Sequence, residues 1–150
     1  MGDAGPEPGR GVLAWSAWGT GAFVATALGG VVAPGALGTL ALVAAATLFL
    51  AGCATFLVAY ARVVARSRVE AIGVANVYLL TGDTAPPRVR RRLLGALGVQ
   101  VVVALAAAVA RPYTAAAAGT LAPVYGLGLC GLWASRHGRF PPRRRTDADA

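Results

Sequence analysis

The stretch "DTAPPRVRRRLLGALGVQVVVALAAAVARP", residues 83–112, decides how the chain folds. It places four arginines within five positions, Arg88, Arg90, Arg91 and Arg92, and then runs for 18 residues without a charge. At about 1.5 Å per residue, that uncharged segment would form a helix of roughly 27 Å, close to the ~30 Å hydrocarbon core of a bilayer. The pattern predicts a membrane-spanning helix whose arginines lie among the lipid headgroups.

The composition of the whole chain favours a membrane protein. Of its 150 residues, 57% are hydrophobic and 13% are charged, whereas soluble domains contain about 25% charged residues. The formal net charge is +8, and all 14 basic residues are arginines. Because these arginines lie between apolar blocks, they favour contact with the lipid bilayer and its anionic headgroups, and no nucleic-acid partner is predicted.

Four uncharged apolar runs predict four spanning helices, at 12–33, 36–61, 93–110 and 113–135. Pro34 and Gly35 predict a tight turn after the first run, and Pro112 ends the third. The rest of the chain is predicted as a disordered tail at 1–11, a long basic loop at 62–92 and a basic disordered tail at 136–150. The sequence therefore predicts an all-α, four-transmembrane-helix bundle as its membrane domain, 12–135.

The arginines predict an orientation for this bundle. Thirteen of the 14 lie in the two tails and the 62–92 loop, which share one side of the membrane, and Arg111 lies on the other. The positive-inside rule then places both termini and the loop in the cytoplasm of a plasma-membrane protein. Residues predicted to meet the headgroups are Arg88, Arg90, Arg91, Arg92, Arg143, Arg144 and Arg145.

A cleaved signal peptide is an alternative for the first span. Residues 12–24 followed by "ATA" at 25–27 resemble an apolar region with a small-residue cleavage site. However, the preceding tail has a net charge of −1, and the apolar run continues to Ala33. Both features favour a spanning helix.

The long loop and the aromatic residues give more local predictions. We expect Thr84 to cap a helix that starts near Pro87, residues 62–80 to continue the second helix or lie on the membrane surface, and "YLLTGDTAPP" at 78–87 to be a solvated connector. The ends of the spans carry aromatic residues suited to an interfacial belt, namely Trp15, Trp18, Tyr60 and Trp133.

Small residues on the predicted spans indicate where helices pack, because backbones in a bilayer associate where side chains let them approach. The first span repeats such residues every four positions, and so does the fourth. Gln100, the one amide deep in a span, is predicted to form an interhelical hydrogen bond, and Pro123 is predicted to kink the fourth span. The residues predicted to pack helices are Gly21, Ala25, Gly29, Gln100, Ala122, Gly126 and Cys130.

Few residues suited to chemistry are present. Neither Asp nor Glu occurs in the predicted spans, and His137 is the single histidine. The sequence "GLGLCG" at 126–131 matches a dinucleotide-binding fingerprint, but no strand precedes it. Cys53 and Cys130 lie in apolar runs and are interpreted as small buried side chains. No catalytic, cofactor-binding or metal-binding residue is predicted.

The segments "RVRRRLLGALGVQ" at 88–100 and "GLWASRHGRFPPR" at 131–143, within the four-span layout, resemble small integral membrane proteins of actinobacteria. That resemblance implies no particular activity. The function predicted first is an accessory or scaffolding subunit of a membrane complex, bound to another membrane protein or to itself. The alternatives are a small oligomeric transporter or channel and a membrane-embedded enzyme.

Overall fold

The computed structural model describes residues 9–142 and is built from helices. Its elements are α1 (Arg10–Val32), α2 (Ala36–Arg66), α3 (Val74–Tyr78), α4 (Pro87–Ala110), a 3-10 helix (Ala115–Leu121) and α5 (Pro123–His137). Within the described range, four segments are long and apolar enough to cross a membrane: α1, α2, α4, and the 3-10 helix joined to α5. The predicted all-α fold with four spans is confirmed.

The long helices extend beyond the apolar runs that predicted them. α1 begins at Arg10, inside the predicted tail, and α2 continues past position 61 to Arg66. α4 begins at Pro87, so the four clustered arginines lie in its first turns. Arginine is a good helix former, and its long side chain reaches water from a helix end. Hydropathy therefore marks the part of each helix in hydrocarbon and misses the turns outside it.

The start of α4 differs from the prediction. Pro86, not Thr84, occupies the N-cap position, and its side chain makes no capping hydrogen bond. The Thr84 hydroxyl instead donates to the Thr81 carbonyl oxygen at 2.8 Å. Because a capping side chain must directly precede the first helical residue, the Pro86–Pro87 pair leaves Thr84 too far upstream to act.

The fourth span changes helix type where a kink was predicted. The 3-10 helix ends at Leu121, and Pro123 is the first residue of α5. Proline suits that position because its missing N–H would have no partner within the helix. Because Pro123 has no N–H to donate four residues back, the Gly119 carbonyl oxygen instead accepts the Ala122 N–H at 3.0 Å. The tighter 3-10 turn thus absorbs the break.

The four spans form a bundle with α5 as its most enclosed member. α1 contacts α2 and α4, and α5 contacts α1, α2 and α4. Half of the most apolar window of Ala115–His137 is buried, compared with 17% for α2. Large apolar side chains on the outer faces of α1, α2 and α4 are exposed. These faces suit lipid contact, and the small residues of α5 suit the centre.

Residues 67–86 and 138–142 fold together over one end of the bundle, and we call them the cap. Tyr78 and Leu80 are buried in it. The Ala71 N–H donates to the Pro141 carbonyl oxygen at 2.9 Å, and the Arg139 N–H donates to the Thr84 carbonyl oxygen at 3.2 Å.

The cap corrects two predictions. Residues 78–87 are not a solvated connector, because Tyr78, Leu80, Thr84 and Ala85 are buried. Residues 136–142 of the predicted disordered tail complete α5 and pack on the loop. The continuation of α2 is confirmed as far as Arg66, and a turn and α3 follow it. Apolar side chains of this otherwise polar loop pack against the end of α5. The sequence does not reveal this contact, because the two segments are far apart in the chain.

Candidate functional site

Gln100 joins three helices near the middle of the bundle. It is 1% exposed. Its Nε2 donates to Thr20 Oγ1 of α1 at 2.7 Å, and its Oε1 accepts the Gly126 N–H of α5 at 3.2 Å. Both ends of the amide are therefore used inside the protein, as a polar group in hydrocarbon requires. The interhelical hydrogen bond predicted for Gln100 is present, and the side chain makes two such bonds, one to α1 and one to α5.

The predicted packing residues of the fourth span all face inward. Ala122, Gly126 and Cys130 are buried. A Cβ atom on Gly126 would lie 2.7 Å from Gln100 Oε1 and 3.3 Å from the Leu97 Cα atom. Only a glycine lets α5 approach α4 this closely, and the same approach brings the Gly126 N–H to Gln100.

The predicted packing residues of α1 do not lie on its buried face. Gly21 and Ala25 are exposed, and a Cβ atom on Gly21 would have no neighbour within 4 Å. Gly29 is half-buried, with its virtual Cβ atom 3.6 Å from Leu37 Cδ1. Phe23 and Ala27 form part of the buried face instead. Repeats of small residues occur on several faces of a helix this rich in glycine and alanine, and the large aromatic side chain marks the inward face more reliably.

The closest backbone contact joins α2 and α5, at residues that the spacing pattern did not single out. A Cβ atom on Gly52 would lie 2.5 Å from the Tyr125 backbone nitrogen. A Cβ atom on Gly128 would lie 2.5 Å from the Gly52 carbonyl oxygen and would also overlap Thr55 Oγ1. A glycine on each helix faces the other backbone, so the two helices touch.

The clustered arginines stand at one end of the bundle. Arg88, Arg90, Arg91 and Arg92 are exposed in the first turns of α4. This position suits headgroup contact. Arg143, Arg144 and Arg145 lie outside the described residues.

The aromatic belt prediction holds for exposure at three of its four positions. Trp15, Trp18 and Tyr60 are exposed, as an interfacial aromatic residue must be. Trp133 is 1% exposed and lies against His137, with ring centroids 5.6 Å apart. The prediction is wrong for Trp133, because α5 is the central helix and its ends are covered by other elements.

Arg66 ties the cap to the bundle. Its guanidinium donates to both carboxylate oxygens of Glu70 at 3.1 Å, to the Ser135 carbonyl oxygen at 3.1 Å and to the Gly138 carbonyl oxygen at 3.3 Å. It also lies 5.2 Å from the centroid of the Phe140 ring. An arginine counted by sequence as a topological charge is therefore a structural residue, because its planar fork satisfies the carbonyls at the end of α5.

Tyr78 fastens the cap to α2. Its hydroxyl donates to the Phe56 carbonyl oxygen at 3.2 Å, and the two rings stack with centroids 4.3 Å apart. Burial raises the pKa of the Tyr78 phenol above its ordinary value of 10.0, and Tyr60 raises it further.

A cleft of about 460 Å³ separates α1 from α4 near their N-terminal ends. Its one buried polar side chain is Ser16, which is 3% exposed and whose Oγ has no hydrogen-bond partner among the described residues. Sequence analysis did not identify this residue, since an isolated serine in an apolar run carries no spacing pattern. The cleft is lined by Arg10, Leu13, Ala14, Ser16, Ala17, Arg92, Leu93 and Ala96.

Chemically reactive groups are not brought together in the part of the chain described. Across residues 9–142 no three His, Cys, Asp or Glu side chains lie close enough to hold a metal ion. Cys53 and Cys130 are free thiols. The glycines of "GLGLCG" belong to α5, where Gly126 and Gly128 contact neighbouring helices.

No family model, curated protein or solved structure matches this chain. Its function is therefore inferred from its own geometry.

Proposed function

We propose that this multi-pass membrane protein is an accessory or scaffolding subunit of a membrane complex, located in the plasma membrane and belonging to the actinobacterial group that its sequence resembles. The observation that carries the proposal is that both polar atoms of the Gln100 side chain are hydrogen-bonded inside the bundle. Transport pathways in membranes depend on polar or ionisable groups that face a cavity and exchange partners. Both polar atoms of the Gln100 amide, which lies deep in a span, form hydrogen bonds to Thr20 and Gly126. These bonds hold helices together and support a structural role for Gln100.

The outer face of α1 supports a role in assembly. Gly21 and Ala25 are exposed there, between the exposed side chains of Trp18 and Leu28. Small residues on a lipid-facing surface let the helix of another membrane protein, or of a second copy, approach closely. We assign the Gly21–Ala25 part of this face to a partner helix, because its small side chains would let another backbone approach closely.

The experiment that tests this proposal compares flux with assembly. The purified protein, reconstituted alone in liposomes, should show no uptake driven by a pH gradient and no ion conductance. It should co-purify from its native membrane with at least one larger membrane protein. Gly21→Leu should weaken that association and leave the thermal midpoint of the isolated protein unchanged, whereas the matched control Val43→Leu, on exposed α2 surface, should affect neither.

The main competing function makes the opposite prediction. Proton-linked flux from the isolated protein, lost in Gln100→Leu, would replace the accessory role with that of a small oligomeric transporter.

We further propose that both termini face the cytoplasm. The charge asymmetry supports this, because the exposed arginines of α4 lie at the same end of the bundle as the cap and its Arg139. Reporters fused after the C-terminus and within 80–86 should read cytoplasmic, and one at 111–113 should read external. Replacing Arg88, Arg90, Arg91 and Arg92 together should give mixed orientations. A C-terminal reporter found outside would overturn the orientation.

A further inference from the structure

The cleft between α1 and α4 lies near the N-terminal ends of both helices. About one turn beyond its deepest lining residues, Ala17 and Ala96, Gln100 Nε2 donates to Thr20 Oγ1 at 2.7 Å. Arg10 and Arg92 line it at the other end, where both helices begin and both side chains are exposed. The groove thus runs from two exposed arginines toward a polar bridge between the same two helices.

The length of the cleft fits within one leaflet of a bilayer. At about 1.5 Å per residue, the lining rises roughly 10 Å from Arg10 to Ala17 and roughly 6 Å from Arg92 to Ala96. Half of a ~30 Å hydrocarbon core is roughly 15 Å. A molecule with its charged part at the arginines and its apolar part against the walls would therefore stay within that leaflet.

The chemistry of the cleft favours an anionic occupant with an ester or phosphate oxygen. Arginine is the only charged residue type among its lining residues. Guanidinium groups bind phosphate through paired, charge-assisted hydrogen bonds. The buried Ser16 hydroxyl has no partner among the described residues, and a buried hydroxyl is costly until it meets one. Oxygen atoms below a lipid phosphate would supply that acceptor.

We propose that this cleft binds one anionic phospholipid, with the phosphate held by Arg10 and Arg92, a glycerol ester or phosphate oxygen accepting from Ser16, and an acyl chain along the apolar walls. Leu13, Ala14 and Leu93 supply those walls. They give a free phosphate ion nothing to contact, so the structure favours the lipid. The site requires membrane insertion and is independent of the accessory role.

The first test uses native mass spectrometry of the full chain in a gentle detergent. The protein is titrated with phosphatidylglycerol or with phosphatidylcholine of identical chains. One phosphatidylglycerol should be retained at least about fivefold more strongly than phosphatidylcholine, and Arg10→Gln and Arg92→Gln should each reduce that retention about fivefold. Arg90→Gln, an exposed arginine of α4 that does not line the cleft, is the matched control and should change it little.

The second test examines the interior of the cleft. Ser16→Ala should weaken phosphatidylglycerol retention about threefold, since one hydrogen bond is lost. Ala96→Leu, which fills the cleft, should abolish it, and Gly95→Leu, on exposed surface of the same helix, should not. Thermal midpoints of the variants separate misfolding from lost binding.

Four results would overturn the proposal. They are equal retention of the two lipids, an equal loss in Arg90→Gln, displacement of phosphatidylglycerol by inorganic phosphate, and a co-purifying protein that Ala96→Leu releases. The third would assign the arginines to a free anion, and the fourth would assign the cleft to a partner helix.

Discussion

Two helix interfaces of this bundle are both rich in small residues, yet one is sealed and the other is open. Between α2 and α5, Gly52 and Gly128 bring the backbones into contact. Between α1 and α4, Ala14, Ala17 and Ala96 line a cleft of about 460 Å³. Small residues alone therefore do not decide how closely two helices approach. The closed interface places a glycine of each helix against the backbone of the other, whereas the open one is spanned by the Gln100 side chain.

The polar residues of the two interfaces follow the same division. At the α2–α5 interface, Arg66 of α2 bonds the carbonyl oxygens of Ser135 and Gly138 and closes the end of the contact. At the α1–α4 interface, Thr20 and Gln100 bond each other at mid-depth and leave the end open. The Arg66 hydrogen bonds close the end of the α2–α5 interface, whereas the Thr20–Gln100 bond joins α1 and α4 across a gap.

The largest effect is expected from Gly128→Leu. Its side chain would collide with Thr55 and the Gly52 carbonyl at the closed interface, with no cavity to receive it. We expect a loss of about 3 kcal/mol in the free energy of unfolding, measured by denaturant titration in mixed micelles. Gly98→Leu on exposed α4 surface, where a Cβ atom has no neighbour within 4 Å, should be close to neutral. Equal losses for the two variants would contradict the sealed interface.

Arg66→Leu should rank second. It removes the charged donors from the Ser135 and Gly138 carbonyls and frees the cap, at a cost of about 2 kcal/mol. Arg66→Lys keeps the charge but lacks the planar fork, so it should recover only part of the loss. Hydrogen exchange should show residues 67–86 opening in both variants while α4 stays protected. Full recovery by lysine would mean that charge alone matters at this position.

Gln100→Leu should destabilise the protein by about 1 kcal/mol, because the Gly126 N–H and the Thr20 hydroxyl lose their partner. A double-mutant cycle with Thr20→Val isolates the bond across the open interface. A coupling energy of about 0.5–1 kcal/mol is expected. Strict additivity would show that the two side chains do not hold α1 and α4 together.

Ala96→Leu should have the smallest effect on stability, within about 0.5 kcal/mol, although it makes the same kind of small-to-large change as Gly128→Leu. The cleft gives the new side chain room that the closed interface lacks. The same denaturant titration measures both variants. A loss as large as that of Gly128→Leu would remove the distinction between the two interfaces.

The number and type of spans follow from hydropathy, because each spanning helix needs a long apolar run whatever it packs against. Gln100 was identified for a related reason, since an amide in hydrocarbon must find a partner. The orientation of α1 about its axis was missed, because hydropathy averages over all faces and Gly21 looks the same on any of them. The prediction that Trp133 lies at the membrane interface is wrong, because the sequence does not show that α5 is the most enclosed helix.

The cap and the cleft lay beyond the sequence for a different reason. Arg66 and Ser135 are separated by 69 positions, and no local pattern pairs them. Ser16 becomes notable only when the space beside it is known. In both cases the informative quantity is a contact, or a missing contact, between distant segments.

The position of α5 also has a consequence for assembly. α5 follows the other long helices in the chain, so synthesis delivers the central helix after α1, α2 and α4 have emerged. Until it arrives, Gly52 faces an unfilled site, and the Gly126 N–H is not there to meet Gln100. We therefore expect α1, α2 and α4 to pack loosely until α5 enters between them, because α5 supplies the most enclosed surface of the bundle.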